Sequence, residues 1–167
     1  EVAQSFPKVK AIVVKRRGGK GQAVREGFKY VEGEAVFLCD ADLMGLKEKH
    51  IQKMFSEYEK NPHGLVVGLK EKSEIQAFHW LRSRMFVISG ERIISARDLK
   101  KVLENPLSDD YGIEPYMNYY FLKKKKPITK VLLEGVNDLP KTETEGHGWN
   151  LHLTEGKNLF TRYVQIY

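Results

Sequence analysis

The chain has 167 residues, 41% hydrophobic and 30% charged, with a formal net charge of +6. That is enough for one domain with a real core, in the balance of a globular protein, and no apolar run reaches the roughly 18 residues of a membrane span. A single cysteine, Cys39, excludes an internal disulfide and fits a reducing compartment, while the positive charge is either an ordinary basic surface or suits an anionic partner: a nucleotide, nucleic acid or a membrane face.

In chain order, "VKAIVVK" (9–15) is short and β-branched, which predicts a strand. A glycine-rich basic loop follows, then a helical pattern from Gln22, with Ala23, Val24, Gly27, Phe28 and Val31 on one face and Gly33 as its end signal. "EAVFLC" (34–39) is a continuous apolar run, as in a strand buried on both faces. A helix is expected over 47–60, broken by "NPHG", then a buried strand at 65–69 and a helix near 74–87. "ISGERIIS" (88–95) reads as a turn or short strand, "ARDLKKVLE" as a short helix stopped at "NP", and 113–124 as an aromatic-rich helix. "ITKVLLEGV" is a further strand, and a last helix is expected near 156–166. Apolar strands alternating with helices predict an α/β domain with a largely parallel sheet covered on both faces. Ligands of such sheets bind beyond the carboxyl ends of the strands, where both the glycine loop and "DADL" fall.

The loop "KRRGGKGQA" fails the spelling G-x-x-x-x-G-K-[ST], because Lys20 is followed by Gly21, and it is not G-x-G-x-x-G. What remains is general: glycines permit close backbone approach, the helix start favours an anion, and Arg16, Arg17 and Lys20 add charge. A solvated basic turn is the plain alternative. In "FLCDADL", Asp40 and Asp42 follow a buried strand; two such carboxylates can hold a hard divalent cation and leave positions for substrate phosphates, or Asp42 can cap the next helix. "SDDYGIE" offers Asp109, Asp110 and Glu114 for general-base work, against helix capping by Asp109 or Asp110. In "TEGHGWNLH", His147 is a candidate metal or phosphate ligand or a surface histidine, and Trp149 a sugar-stacking or a core residue. "KKKK" (123–126) is a solvated helix end favoured by the dipole or a contact for anionic lipid.

Together, "GGKGQAVREGFKYVEGEAVFLCDADL" resembles the nucleotide-sugar glycosyltransferases of family 2, with the Rossmann-related GT-A fold. The family's run R-G-K-G-x-A-x-x-x-G, then a helix, an apolar strand and D-A-D, is matched by Arg17, Gly19, Lys20, Gly21, Ala23, Gly27 and Asp40–Ala41–Asp42. The likeness is strong over 15–43 and looser after. It implies one domain over 1–167, with a nucleotide- and metal-binding part at 9–70 and an acceptor-side part at 71–167. It implies that Asp42 and Asp40 bind Mg²⁺ or Mn²⁺ on a nucleotide-diphosphate sugar, that Lys20, Gly21, Arg16 or Arg17 and Trp149 lie near that donor, and that His147 is a further metal ligand. Asp110 is the first choice as base of an inverting displacement on an acceptor hydroxyl or phosphate, then Glu114, then Asp109. The partner is thus a small donor and not nucleic acid, and the lysines leave room for a lipid-linked acceptor and a place at the cytoplasmic membrane face. The family's first two strands, with their P-x-x-N-E and D-x-S-x-D segments, have no counterpart here. An N-terminally incomplete domain is therefore expected, its sheet edge covered by other residues or by a second copy in a homodimer. A sugar nucleotidylyltransferase and a non-catalytic basic binding module are the alternatives.

Overall fold

The computed structural model describes residues 6–13, 19–70 and 89–139. Its elements are α1 (Gly19–Phe28), β1 (Ala35–Leu38), β2 (Leu43–Met44), α2 (Glu48–Lys60), β3 (Leu65–Lys70), β4 (Arg92–Ser95), α3 (Ala96–Leu103), two 3₁₀ turns (Pro106–Ser108 and Asp110–Gly112), α4 (Ile113–Lys123), β5 (Ile128–Leu133) and β6 (Asn137–Asp138). The helices expected near 74–87 and 156–166 lie outside the described residues.

Four strands form one sheet in the order β1-β4-β3-β5, and β2 pairs with β6 in a separate two-stranded ribbon. β4 runs antiparallel to β1 and to β3, and β5 runs parallel to β3. Three of the four strands therefore point one way, as the alternating pattern predicts, and β4 is the reversed strand that makes the sheet mixed. "GERIIS" gives no sign of that reversal, because strand direction depends on the connection into it.

The apolar strands are continuous because helices cover both faces. Leu65, Val67 and Ile94 face a core completed by Leu99 of α3 and Met117 and Phe121 of α4. Val66, Ile93 and Val131 point the other way, onto Met54 and Tyr58 of α2. Consecutive residues of β3 and β4 thus serve opposite cores, the period-2 alternation of a strand. Each fully buried large aliphatic side chain contributes about 1.5–3 kcal/mol relative to exposure.

Two expectations shift. Residues 9–13 form no strand: Val9 is 50% and Val13 84% exposed, and the Val9 N–H donates to Phe6 O (3.0 Å) in a turn. β-branched composition favours a strand only where a neighbouring strand accepts it. α1 begins earlier than Gln22 and stops at Phe28, well short of Gly33. Its end is tightened by i→i−3 bonds from Tyr30 to Gly27 (3.1 Å) and from Val31 to Phe28 (3.1 Å).

Candidate functional site

The carboxyl ends of β1, β3 and β5 and the amino end of β4 meet at one end of the sheet, as their directions require. Three elements distant in sequence bring charge there. Asp40 lies two residues past β1, Lys20 is in the first turn of α1, and Glu114 in the first turn of α4. Lys20 Nζ is 2.5 Å from Asp40 Oδ1 and 2.7 Å from Glu114 Oε1. Burial opposes the charge on Lys20, but Glu114 and Asp40 outweigh it and hold the ammonium above its ordinary range. Glu114, expected as second candidate for the base, is joined to the lysine expected near the donor.

The glycines of the loop have a use that their spelling does not reveal. A side chain on Gly19, at φ +65°, would place its Cβ 2.5 Å from Asp110 Cα and 3.0 Å from Asp110 Oδ1. One on Gly21 would press into Ser108 O and come within 2.9 Å of Asp109 Cα. The glycines therefore let α1 rest on the backbone of 108–110. Arg25, farther along α1, fastens the same segment: it donates to Leu103 O, to Ser108 Oγ (3.3 Å) and to Asp109 Oδ1 (2.6 Å). Asp109 precedes the second 3₁₀ turn without a side-chain cap bond, so its carboxylate serves Arg25. Asp110 is exposed and has φ +50°, a conformation uncommon for a side-chain-bearing residue outside turns and functional sites.

Asp42 is exposed, and the capping alternative fails, since α2 starts only at Glu48 after Lys47. Its carbonyl accepts from the Leu139 N–H (2.7 Å), continuing the β2–β6 ladder. Among the described residues no three His, Cys, Asp or Glu side chains gather as a metal cage. A pair of carboxylates fits Mg²⁺ or Mn²⁺ of the kind that completes its sphere with water and substrate phosphate. The candidates Arg16, Arg17, His147 and Trp149 lie outside the described residues. Burial, Glu91 and Asp40 push the Cys39 thiol above its ordinary range.

Behind the site is a polar layer absent from the sequence reading. Glu91 and Arg92 are both fully buried. Arg92 donates to Ser89 O (2.7 Å) and to Asn118 Oδ1 (2.7 Å) on α4. Glu91 Oε2 lies 2.7 Å from Ser89 Oγ and 3.6 Å from Lys70 Nζ, and Lys70 reaches Asp138 Oδ1 at 2.6 Å. The available signal was two adjacent charges, "ER", opening an otherwise apolar strand.

"KKKK" sits elsewhere. α4 has 11 residues, so at 1.5 Å per residue its ends are about 16 Å apart; Glu114 is at one and Lys123 at the other. Lys123, Lys124 and Lys126 border an open groove of about 1300 Å³ at the amino end of the sheet, with Arg97, Lys101, Tyr58 and Tyr120. Lys126 there is bound to Asp98 at 2.6 and 2.7 Å.

This architecture is shared with solved structures. Glucosyl-3-phosphoglycerate synthase from Mycobacterium tuberculosis, in complex with Mn²⁺, UDP-glucose and phosphoglyceric acid, aligns over 98% of this chain and 58% of its own at a TM-score of 0.66 and 16% identity. The same enzyme with Mg²⁺ and UDP aligns over the same shares at 0.65 and 16%. A mycobacterial protein aligns over 82% of this chain and 48% of its own at 0.58 and 19%. The chain thus spans 58% of the length of the synthase it matches, and the likeness establishes the fold. No curated protein sequence matches. The model of glycosyl transferase family 2 matches residues 1–126, three quarters of the sequence, and the chain belongs to that family.

Proposed function

We propose that this chain is the catalytic part of a nucleotide-sugar glycosyltransferase that moves a sugar from a nucleoside diphosphate to an acceptor hydroxyl. The observation that carries the reading is the convergence of Lys20, Asp40 and Glu114 at the carboxyl end of the sheet, the end at which α/β sheets bind ligands. The mycobacterial synthase with Mn²⁺ and UDP-glucose supports a uridine donor, and the family match favours transfer over the nucleotidylyltransferase alternative.

In this reading Asp40 and Asp42 hold Mg²⁺ or Mn²⁺ against the diphosphate. When bound, the cation supplies Lewis-acid neutralisation of the leaving group. Lys20 adds a fixed positive charge beside it, and Glu114 orients that lysine through its 2.7 Å contact. Asp110, exposed beside Gly19, takes the proton from the acceptor hydroxyl. The displacement, aided on the acceptor side, inverts the anomeric carbon. The lysine run lies at the other end of the sheet and gives no support to a lipid-linked acceptor.

Calorimetry with UDP and UDP-glucose, with and without Mn²⁺, tests the reading. Mn²⁺-dependent binding by the wild type, abolished in Asp42→Ala, is expected. Binding that ignores the metal, or that survives unchanged in Asp42→Ala, would falsify it.

A further inference from the structure

Asp40 and Asp42 sit on different supports. Asp40 packs its carboxylate over Gly90, where any Cβ would displace it. Asp42 opens a segment that runs antiparallel to 137–139: its carbonyl accepts from Leu139, then Leu43 pairs with Asp138 and Met44 with Asn137. The two segments close on each other at Gly45, whose φ of +78° lets it pass against Gly135 O. A two-stranded ribbon this short is unstable by itself and needs an anchor. Val136, fully buried in the α2-side core, anchors one end. At the other end Leu43 packs against the same core, and Lys70, from the last position of β3, adds a polar tie to Asp138 at 2.6 Å.

Lys70 is itself held from below. Glu91, 0% exposed, sits 3.6 Å from Lys70 Nζ and is fixed by Ser89. Its second oxygen, Oε1, is buried with no hydrogen-bond partner, so nearby positive charge matters more to this carboxylate than to a solvated one. The lysine lies between a buried carboxylate and a half-exposed one, which fixes its direction.

We infer that Lys70 and Asp138 are positioning residues that hold the Asp42 ribbon to the sheet and thereby set the spacing of the two aspartates. The turn Ser89–Glu91 becomes the common reference: Asp40 meets it directly at Gly90, and Asp42 indirectly through Glu91, Lys70, Asp138 and the ladder. The positioning role rests on the reading that Asp40 and Asp42 share a cation; the mechanical link from Lys70 to the ribbon does not.

Two measurements on the full chain separate these statements. In Asp138→Asn, hydrogen exchange of the Leu139 and Met44 amides should quicken while the amides of β3 and β4 keep their protection. Mn²⁺-dependent UDP binding by calorimetry should weaken about tenfold, the lower end of what loss of an outer support costs a metal site, with metal-free UDP binding unchanged. Lys70→Met should do the same and Lys70→Arg should restore most of it. Unchanged exchange at Leu139 overturns the link. Faster exchange with wild-type Mn²⁺–UDP affinity overturns the positioning role. A wild type that shows no Mn²⁺-dependent binding removes the functional reading and the positioning role with it, while the exchange result still decides the link.

Discussion

At the amino end of the sheet one carboxylate, Asp98, takes up three side-chain donors. Lys126 binds it at 2.6 and 2.7 Å, Tyr120 at 2.9 Å and Ser95 at 2.9 Å, while Ser95 Oγ caps the Asp98 amide at 3.1 Å as the N-cap of α3. At the carboxyl end single cations are shared instead: Lys20 is divided between Asp40 and Glu114, Lys70 between Glu91 and Asp138, and Asp42 and Asp110 stand exposed nearby. The same α4 links the two, with Glu114 in its first turn and Lys126 three residues past its end. An end whose acceptors are matched by donors adds stability. One that shares each cation between two carboxylates and holds a residue at φ +50° gives stability away, and such sites are retained where chemistry needs them.

The strongest break of this comparison is Asp110→Asn. Loss of a general base lowers turnover about 10²–10⁴-fold, read as UDP release from a UDP-sugar in the presence of acceptor. The melting midpoint should hold or rise, because asparagine tolerates positive φ at least as well as aspartate. Full turnover in this variant would move the base to Glu114.

The mirror-image change is Asp98→Asn. It removes a charge-assisted acceptor from Lys126, worth about 1.5–3 kcal/mol, which for a chain of this size lowers the midpoint by roughly 3–12 °C. Nucleotide binding at the far end should be unaffected. Asp98 also gives this end a pH signature. Burial alone would raise its carboxyl, but Lys126, Ser95 and Tyr120 outweigh that and hold it below its ordinary 3.8. Its stabilisation is therefore complete above that value and is lost as pH falls through the lower folded one. Tyr120, buried and bonded to Asp98, is pushed up to about 12.

Much of this architecture is legible in the sequence. α2, β1, β3, α3, α4 and β5 fall where periodicity and breakers place them, and Lys20, Asp40 and Glu114 can be named from their motifs. Their meeting cannot: Lys20 and Glu114 are 94 positions apart, and the packing of α1 on 108–110 and on the α3–α4 core joins them. Gly19 and Gly21 look like phosphate-loop glycines because the same small residue permits approach to a ligand or to another backbone. β6 and its ribbon were invisible, since two-residue strands carry no period. Glu91 was missed because a charge in a short strand normally marks a solvated face, and here it marks the reverse.

The smallest expected effect lies away from both ends, at the start of α2. His50 is 4% exposed, and its Nδ1 accepts from the Lys47 N–H at 3.1 Å, reaching back across the first turn as Glu or Gln does in a capping box. The bond requires a neutral ring. Burial, then Lys49, Lys47 and Lys53, lower its pKa below the ordinary 6.5, with Glu134 opposing. Unfolded chains therefore take up the proton first as pH falls, so this contribution is intact above about 6.5 and declines through the window between that value and the folded one. His50→Gln keeps an acceptor that can reach the same N–H and removes the titration. Thermal melts between pH 7.5 and 5 should show a decline in the wild type that is shallower in His50→Gln; identical slopes would mean that the histidine stays neutral in neither state preferentially and that the acid sensitivity belongs to the carboxylates.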